Sequence, residues 1–227
     1  MTQAPPTIVR LSDNGKSAVV VREPRNVFID LGANEGDSLK SFVGDVSSMG
    51  GDGIKGRGKS GKWDIWLFEA NPHFTERLKK LAQDLSQQKL STGEKQYTFF
   101  TKTEHAITTK DGPVTFFLDT VSDAKWGSSL NPQHRDVVRD KKSITLPGVS
   151  LSDLILNHYT KDDFILLKMD VEGIEFDLVT DLMKTGALQL VDELYCEYHD
   201  FVSPVPNMAN VLRYMVKQQG VKQGNWS

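Results

Sequence analysis

The chain has 227 residues, 38% of them hydrophobic, and this length suits one well-buried α/β domain over residues 1–227, with its core at about residues 25–220. Its net charge of −3 excludes a general attraction to nucleic acid, so we expect no nucleic-acid partner. The single cysteine, Cys196, excludes an internal disulfide and favours a cytoplasmic location, and no apolar run reaches the roughly 20 residues that a membrane-spanning helix needs.

Strand-like and helix-like segments alternate along the chain, which is typical of a mostly parallel twisted sheet with helices on both faces. The predicted strands are Val27–Leu31, Ile65–Glu69, Tyr97–Thr101, Phe164–Asp170 and Val191–Tyr198. The predicted helices are Asp37–Ser47, Pro72–Gln88, Leu151–His158, Glu172–Lys184 and Asn207–Gln219. A turn at Lys110–Pro113, followed by a short strand at Val114–Leu118, predicts a hairpin that interrupts the alternation.

The first strand runs directly into an acid-then-glycine turn with the pattern D-x-G-x-N-x-G. Its members are Asp30, Gly32, Asn34 and Gly36, and the two glycines allow the backbone to turn tightly beneath a ligand. The pattern lacks the middle glycine of the dinucleotide fingerprint, which brings the backbone against a pyrophosphate. It therefore favours an adenosine cofactor without a pyrophosphate, such as S-adenosylmethionine, over a nicotinamide dinucleotide.

A glycine-rich segment at Met49–Lys62 alternates glycine with lysine and arginine, and we expect it to be a flexible surface loop that buries no core. Within it, Gly53–Ser60 matches the phosphate-binding pattern G-x-x-x-x-G-K-S. That pattern works when a strand enters it and a helix leaves it, whereas here a predicted strand follows. The context therefore disfavours a nucleoside triphosphatase.

The second predicted strand also ends in a carboxylate just before a helix, in the stretch Trp66–Pro72. Glu69 in that position can accept hydrogen bonds from both ribose hydroxyls of a bound adenosine, and we assign Asn71 to the same cofactor site. The alternative is that Glu69 is a solvent-facing strand end.

A third strand end carries Lys168 and Asp170 on one face, followed by Glu172 and Glu175. Three strands thus bring carboxylates to one edge of the sheet, where open α/β proteins bind their ligands. Asp170 and Glu172 are candidate proton acceptors, with His199 on the next strand end as a further one. These acids could instead hold a divalent ion, but no close metal-ligand spacing supports this, so we predict no metal. The alternative for Lys168 is that it pairs with Asp170 or Glu172 only to neutralise charge, whereas for Glu175 we expect a solvated helix face.

These three stretches together resemble the FkbM family of S-adenosylmethionine-dependent methyltransferases: Asp30–Gly36, Phe68–Pro72 and Leu167–Glu175. The resemblance implies a Rossmann-like class I methyltransferase fold with the strand of Asp30 central. It implies S-adenosylmethionine as cofactor and a hydroxyl of a sugar or natural product as methyl acceptor. We also assign Asp170, a candidate proton acceptor, to the cofactor site.

The resemblance also implies that the backbone at Ala106 lies along the adenine and that Ser128–Leu130 lies near the site. Class I methyltransferases usually end in an antiparallel strand pair, which this chain has no room to add after its last predicted helix, so the sheet is completed differently or its end is missing. The alternative function is a non-catalytic module that binds an adenosine cofactor and acts through partners. The sequence does not specify the oligomeric state.

Overall fold

The computed structural model describes residues 23–44 and 53–226, which form an α/β fold. The strands are β1 (Asn26–Leu31), β2 (Trp63–Glu69), β3 (Tyr97–Thr103), β4 (Ala106–Thr108), β5 (Gly112–Phe117), β6 (Ser143–Ser150), β7 (Phe164–Met169), β8 (Glu193–Cys196) and β9 (Lys222–Asn225). The α-helices are α1 (Asp37–Val43), α2 (Thr75–Leu85), α3 (Leu151–His158), α4 (Glu175–Thr185) and α5 (Met208–Gln218). Short 3-10 helices lie at Arg57–Lys59, Pro72–Phe74, Ala187–Leu190 and Asp200–Val202.

The main sheet has six strands in the order β3-β2-β1-β7-β8-β9, and every neighbouring pair is parallel. β1 is therefore central, with β2 and β7 on either side, and the predicted fold class is confirmed. The strand order reverses between β1 and β7. In open parallel sheets, the crevice at the carboxyl ends beside such a reversal is the usual place for a ligand.

Alternation along β1 divides the core into two layers, one on each face of the sheet. Val27, Ile29 and Leu31 pack into the layer that contains buried residues of α3, α4 and α5. Phe28 points to the opposite face and packs in the layer that contains residues of α1 and α2. Asp30 shares that face but sits at the strand end, where its carboxylate is fully buried.

A second, three-stranded sheet has the order β4-β6-β5, and this corrects the predicted hairpin. β5 pairs antiparallel with β6, and β6 lies between it and β4, so the turn at Lys110–Pro113 does not join two paired strands. Neither β4, which is only three residues long, nor β6 was predicted from the sequence.

Element boundaries differ from the prediction mainly at the carboxyl edge of the sheet. α4 begins at Glu175 rather than Glu172, because Glu172 and Gly173 have positive φ angles of 58° and 114° and form a turn instead. α1 ends at Val43, and the end predicted at Ser47 lies outside the described residues. In place of an antiparallel pair, the sheet continues with β9, which pairs in parallel with β8.

The described part of the glycine-rich segment, residues 53–62, packs against the sheet, so the expectation that it buries no core is wrong there. Ile54 is fully buried, and the Gly58 carbonyl accepts a hydrogen bond of 3.0 Å from the Tyr97 hydroxyl. Arg57 donates to Glu193 on β8 at 2.7 Å. β2 follows this segment directly, so the phosphate-loop arrangement of strand, loop and helix is not formed. Among residues 23–44 and 53–226, no helix is long and apolar enough to cross a membrane.

Candidate functional site

The turn after β1 is held tightly between the ends of β2 and β7. Gly32 has a φ of +73°, and its amide and that of Ala33 both donate to the Phe68 carbonyl at 3.0 Å. A β-carbon at Gly32 would lie 1.8 Å from the Asp170 carbonyl oxygen. The glycine therefore permits the close approach of β1 and β7 at the point where the strand order reverses.

Beneath this turn, a buried lysine joins the acids at the ends of β1 and β7. Lys168 Nζ donates to the Gly32 carbonyl at 2.7 Å and lies 3.3 Å from Asp30 Oδ1 and 3.7 Å from Asp170 Oδ2. Burial alone would lower the pKa of Lys168, but the charges of Asp30 and Asp170 outweigh burial and raise it. Lys168 is therefore a cation within the floor of the site.

Glu69 at the end of β2 is held in a fixed orientation by two backbone amides. Its Oε2 accepts from Asn34 N at 2.8 Å, and its Oε1 accepts from Asn71 N at 2.6 Å. The residue is only 7% exposed, and this burial raises the pKa of Glu69 to about 7 despite both hydrogen bonds. Each oxygen keeps a lone pair for a hydroxyl donor.

Glu69 lines a cavity with about 590 Å³ of empty space, counting its open mouth, which we call the inner cavity. Its other wall is largely apolar, and the Asn71 amide closes one side by donating to Ser128 Oγ at 3.0 Å and to the Lys125 carbonyl at 3.1 Å. The apolar lining residues include Phe68, Phe74, Ala106, Ile107, Phe116 and Ile174. A flat apolar base attached to a diol matches this division of the walls.

A second cavity, the outer cavity, adjoins the inner one across shared residues of the β1 and β7 ends. Both are lined by Gly32, Asn34, Trp126, Asp170 and Glu172. The outer cavity adds acidic and aromatic side chains of its own: Asp37, Glu197 and Trp226. Asp170 thus stands at the junction between the inner cavity, which Glu69 lines, and a second cavity with further acidic side chains.

Behind that junction, His199 is enclosed by carboxylates. Its Nδ1 lies 2.9 Å from Glu175 Oε1, and its Nε2 lies 3.1 Å from Glu172 Oε2 and 4.0 Å from Asp170 Oδ1. Burial opposes protonation of this imidazole, but its hydrogen bonds with Glu172 and Glu175 prevail and raise the pKa of His199 to about 11. Burial likewise opposes ionisation of Glu172, but its contacts with His134 and His199 prevail and lower the pKa of Glu172 to about 2.

Two other carboxylates that face the outer cavity, Asp170 and Glu197, behave in the opposite way. Burial is the main cause that raises the pKa of Asp170, with the nearby Glu172 charge acting in the same direction. Burial and the charge of Asp170 raise the pKa of Glu197 to about 7. Glu197 can therefore exchange a proton near neutral pH, and Asp170 holds a proton more readily than an ordinary aspartate does.

The structure brings most of the predicted cofactor residues to one cavity but leaves two away from its wall. Six of them line the inner cavity: Gly32, Asn34, Glu69, Asn71, Ala106 and Asp170. Asp30 lies beneath the wall, covered by Lys168 and bonded by the Ser38 hydroxyl. Gly36 starts α1, where a β-carbon would lie 2.4 Å from Leu81 of α2, so it serves packing between helices.

Among the predicted proton acceptors, Asp170 and Glu172 line both cavities, whereas His199 lies behind Glu172. The expectation for Glu175 is wrong, because this side chain is fully buried and accepts from the amides of Val171 and Gly173.

Sequence reasoning missed His134 and Glu197. His134 Nε2 lies 3.0 Å from Glu172 Oε2, but the residue comes from an irregular stretch between β5 and β6 that has no periodic pattern. Glu197 is two residues from His199, so its position at the end of β8 could have identified it.

A family model described as "Methyltransferase FkbM domain" matches residues 30–222, nearly the whole chain. The match runs from the last two residues of β1 to the first residue of β9 and includes all the residues of both cavities except Trp226. No curated protein and no solved structure matches the chain significantly.

Proposed function

The chain belongs to the FkbM methyltransferase family, and from this premise we propose that it transfers the methyl group of S-adenosylmethionine to a hydroxyl oxygen of a sugar or small natural product. The observation that carries the proposal is the meeting of the inner and outer cavities at Asp170. A cofactor in one cavity and an acceptor in the other would place their reacting atoms at this junction.

The residues of the inner cavity fit an adenosine with a sulfonium side chain. Glu69 offers two oriented oxygens to the ribose hydroxyls, and the apolar wall that includes Ala106 and Ile107 offers a surface to the adenine. Towards the junction the wall becomes acidic at Asp170, which would favour the positive sulfonium. S-adenosylmethionine, when bound, supplies a methyl group already activated for transfer by its positive sulfur.

Catalysis by this chain would then consist mainly of aligning the acceptor oxygen with the methyl group and removing one proton from the acceptor. The acceptor oxygen forms a bond to the methyl carbon while the carbon–sulfur bond breaks and its electron pair returns to sulfur, leaving a neutral thioether. The hydroxyl proton passes to a carboxylate at the outer cavity. Asp170 and Glu197 suit this role because the pKa of each is raised towards neutrality.

Among the other predicted catalytic residues, His199 and Glu172 are better suited to positioning than to accepting the proton. An imidazole with a pKa of about 11 already carries its proton at neutral pH. A carboxylate with a pKa of about 2 is a weak base, and Glu172 Oε2 also lies close to the Nε2 atoms of both His134 and His199. We propose that His199 and Glu172 hold Asp170, and the turn that follows it, in a fixed orientation.

The outer cavity favours a neutral or cationic acceptor that carries several hydroxyls. Trp126 is 46% exposed and offers an apolar face against which a sugar ring can lie, while Asp37 and Glu197 can accept hydrogen bonds from hydroxyls. We propose small-molecule or carbohydrate acceptors, no nucleic-acid partner and a cytoplasmic location. The last of these rests on Cys196, which is buried and unpaired.

The direct test is transfer of a labelled methyl group from S-adenosylmethionine to a panel of neutral glycosides, amino sugars and macrocyclic or phenolic alcohols. Calorimetric titration with S-adenosylhomocysteine, NAD and ATP accompanies it. We expect binding of S-adenosylhomocysteine alone and label in at least one acceptor, with turnover reduced at least tenfold in Asp170→Asn. Binding without turnover across the whole panel would instead support a non-catalytic cofactor-binding module.

A further inference from the structure

Asp170 and Glu172 surround His199, and we call these three side chains the His199 cluster. The cluster has the composition and spacing of a metal site as well as those of a hydrogen-bonded network. We propose that Asp170, Glu172 and His199 bind one divalent transition-metal ion, such as Mn²⁺, at the junction of the two cavities. Each residue offers one ligand atom, and these atoms lie within 4.8 Å of one another. The existence of the site is independent of the proposed methyl transfer, whereas its chemical role rests on that function.

The distances within the cluster suit coordination. With metal–ligand distances of about 2.1 Å, adjacent ligand atoms of an octahedral ion are about 3.0 Å apart and opposite ones about 4.2 Å apart. His199 Nε2 lies 3.1 Å from Glu172 Oε2 and 4.0 Å from Asp170 Oδ1. These two separations suit an adjacent and an opposite pair of ligand atoms on one such ion.

Two buried atoms directed at the cluster lack the hydrogen bonds that buried polar atoms normally make. Among the residues that the structure describes, neither Asp170 Oδ1 nor His134 Nε2 has a hydrogen-bond partner. The His134 side chain is 1% exposed, and its Nε2 lies 3.0 Å from Glu172 Oε2 without hydrogen-bond geometry. A cation beside Glu172 would satisfy Asp170 Oδ1, and His134 stands close enough to support or join the ligand set.

The support around His199 resembles the outer shell of known metal sites. A ligating histidine usually donates its other ring nitrogen to a carboxylate, which fixes the tautomer and directs the remaining lone pair at the metal. Glu175 takes this position at 2.9 Å from Nδ1 and is itself held by the amides of Val171 and Gly173. A bound metal ion would displace the proton that Nε2 otherwise carries, and Nε2 would then direct its lone pair at the ion between Glu172 and Asp170.

One imidazole and two carboxylates favour a transition metal over Ca²⁺, since Ca²⁺ prefers an all-oxygen shell. In the proposed reaction, the acceptor hydroxyl would complete the coordination from the outer cavity and lose its proton more readily. Asp170 would then be a ligand, and the proton would pass to Glu197, whose Oε1 lies 4.0 Å from His199 Nε2 and which also lines the outer cavity.

The test measures Mn²⁺ binding to the full chain by electron paramagnetic resonance, with and without S-adenosylhomocysteine. Asp170→Asn and His199→Gln remove ligands, and Asp37→Asn removes an acid from the same cavity outside the cluster. We expect one Mn²⁺ per wild-type chain, binding at least tenfold weaker in each ligand variant and changed less than twofold in Asp37→Asn. Wild-type spectra should also show coupling to a histidine nitrogen, which His199→Gln removes.

Absence of binding by the wild type at millimolar Mn²⁺, equal binding by all four proteins, or bound Mn²⁺ without nitrogen coupling would each overturn the site. The nitrogen coupling needs only the wild-type protein, so it tests the site even where a variant fails to fold. S-adenosylhomocysteine binding is scored separately. A protein that binds Mn²⁺ but not that nucleoside refutes the proposed function and leaves the metal site standing.

Discussion

Gly32 and the Asp170 carbonyl are in such close contact that the space between them admits no side chain. A β-carbon at Gly32 would lie 1.8 Å from the Asp170 oxygen and 2.9 Å from its carbonyl carbon. Both obstructing atoms are backbone, so no rotamer change can relieve the overlap. The contact fixes the distance between the ends of β1 and β7, and hence the width of the junction between the two cavities.

Gly32→Ala should therefore destabilise the fold and weaken binding of S-adenosylhomocysteine. We expect a loss of about 3 kcal/mol or more in unfolding free energy, since backbone overlap adds to the cost of a positive φ. Gly93→Ala is the matched control, because Gly93 has a φ of +84° but open space around its β-carbon position. Urea denaturation measures both, and equal losses in the two variants would show that the contact with Asp170 is unimportant.

The carboxylates that end β1, β2 and β7 could be predicted from sequence because parallel strands share one edge, and an apolar run that stops at an acid marks that edge. Asp30 nevertheless lies beneath Lys168 and not in the cavity wall. A strand pattern predicts which face of the sheet Lys168 points to, but not how far its side chain reaches. Glu175 was misassigned because the predicted helix began at Glu172, whereas a turn of positive φ delays it and allows Glu175 to bond that turn. His134 carries no local signal, since only the tertiary fold brings it to Glu172.

Glu69 should make cofactor binding depend on pH. Its folded-state pKa is about 7 against an ordinary 4.5, so between these values the unfolded chain has released the proton and the folded chain retains it. This group's contribution to stability is therefore lost as pH rises from 4.5 to 7. The ionised carboxylate accepts ribose hydroxyls better, so affinity for S-adenosylhomocysteine should rise through pH 7 and level off above it.

Glu69→Gln should bind S-adenosylhomocysteine about 10- to 100-fold more weakly above pH 7, because this loss corresponds to the free energy of a hydrogen bond to a charged group. Its affinity should also vary less with pH between 6 and about 8 than that of the wild type, because it lacks the carboxyl with a pKa of about 7 that faces the ribose. Glu76→Gln, an exposed acid on α2, serves as the control and should follow the wild-type curve. Calorimetry at several pH values gives these curves, and a Glu69→Gln curve as steep as that of the wild type would point to a different titrating group.

Ile54 should contribute to stability as a core residue although its neighbours are glycines and lysines. It is fully buried in the layer that contains Phe42 and Tyr195. Ile54→Ala should lower the unfolding free energy by about 2–4 kcal/mol, as for other large-to-small core substitutions. The adjacent exposed Lys55→Ala should change it by less than about 0.5 kcal/mol. If thermal or urea unfolding shows the two variants to be alike, this segment does not pack on the sheet in solution.

Lys168 and Asp30 should show strong energetic coupling because each neutralises the other where water is excluded. Their side chains are 2% and 0% exposed, with Nζ 3.3 Å from Oδ1. Lys168→Met leaves Asp30 and Asp170 without their cation and should lower the unfolding free energy by about 3–5 kcal/mol. Asp30→Asn removes one of the two stranded charges, so adding it to Lys168→Met should restore part of that loss. Urea denaturation of both single variants and the double variant completes the cycle. Strictly additive losses would mean that Lys168 stabilises the site through its bond to the Gly32 carbonyl instead.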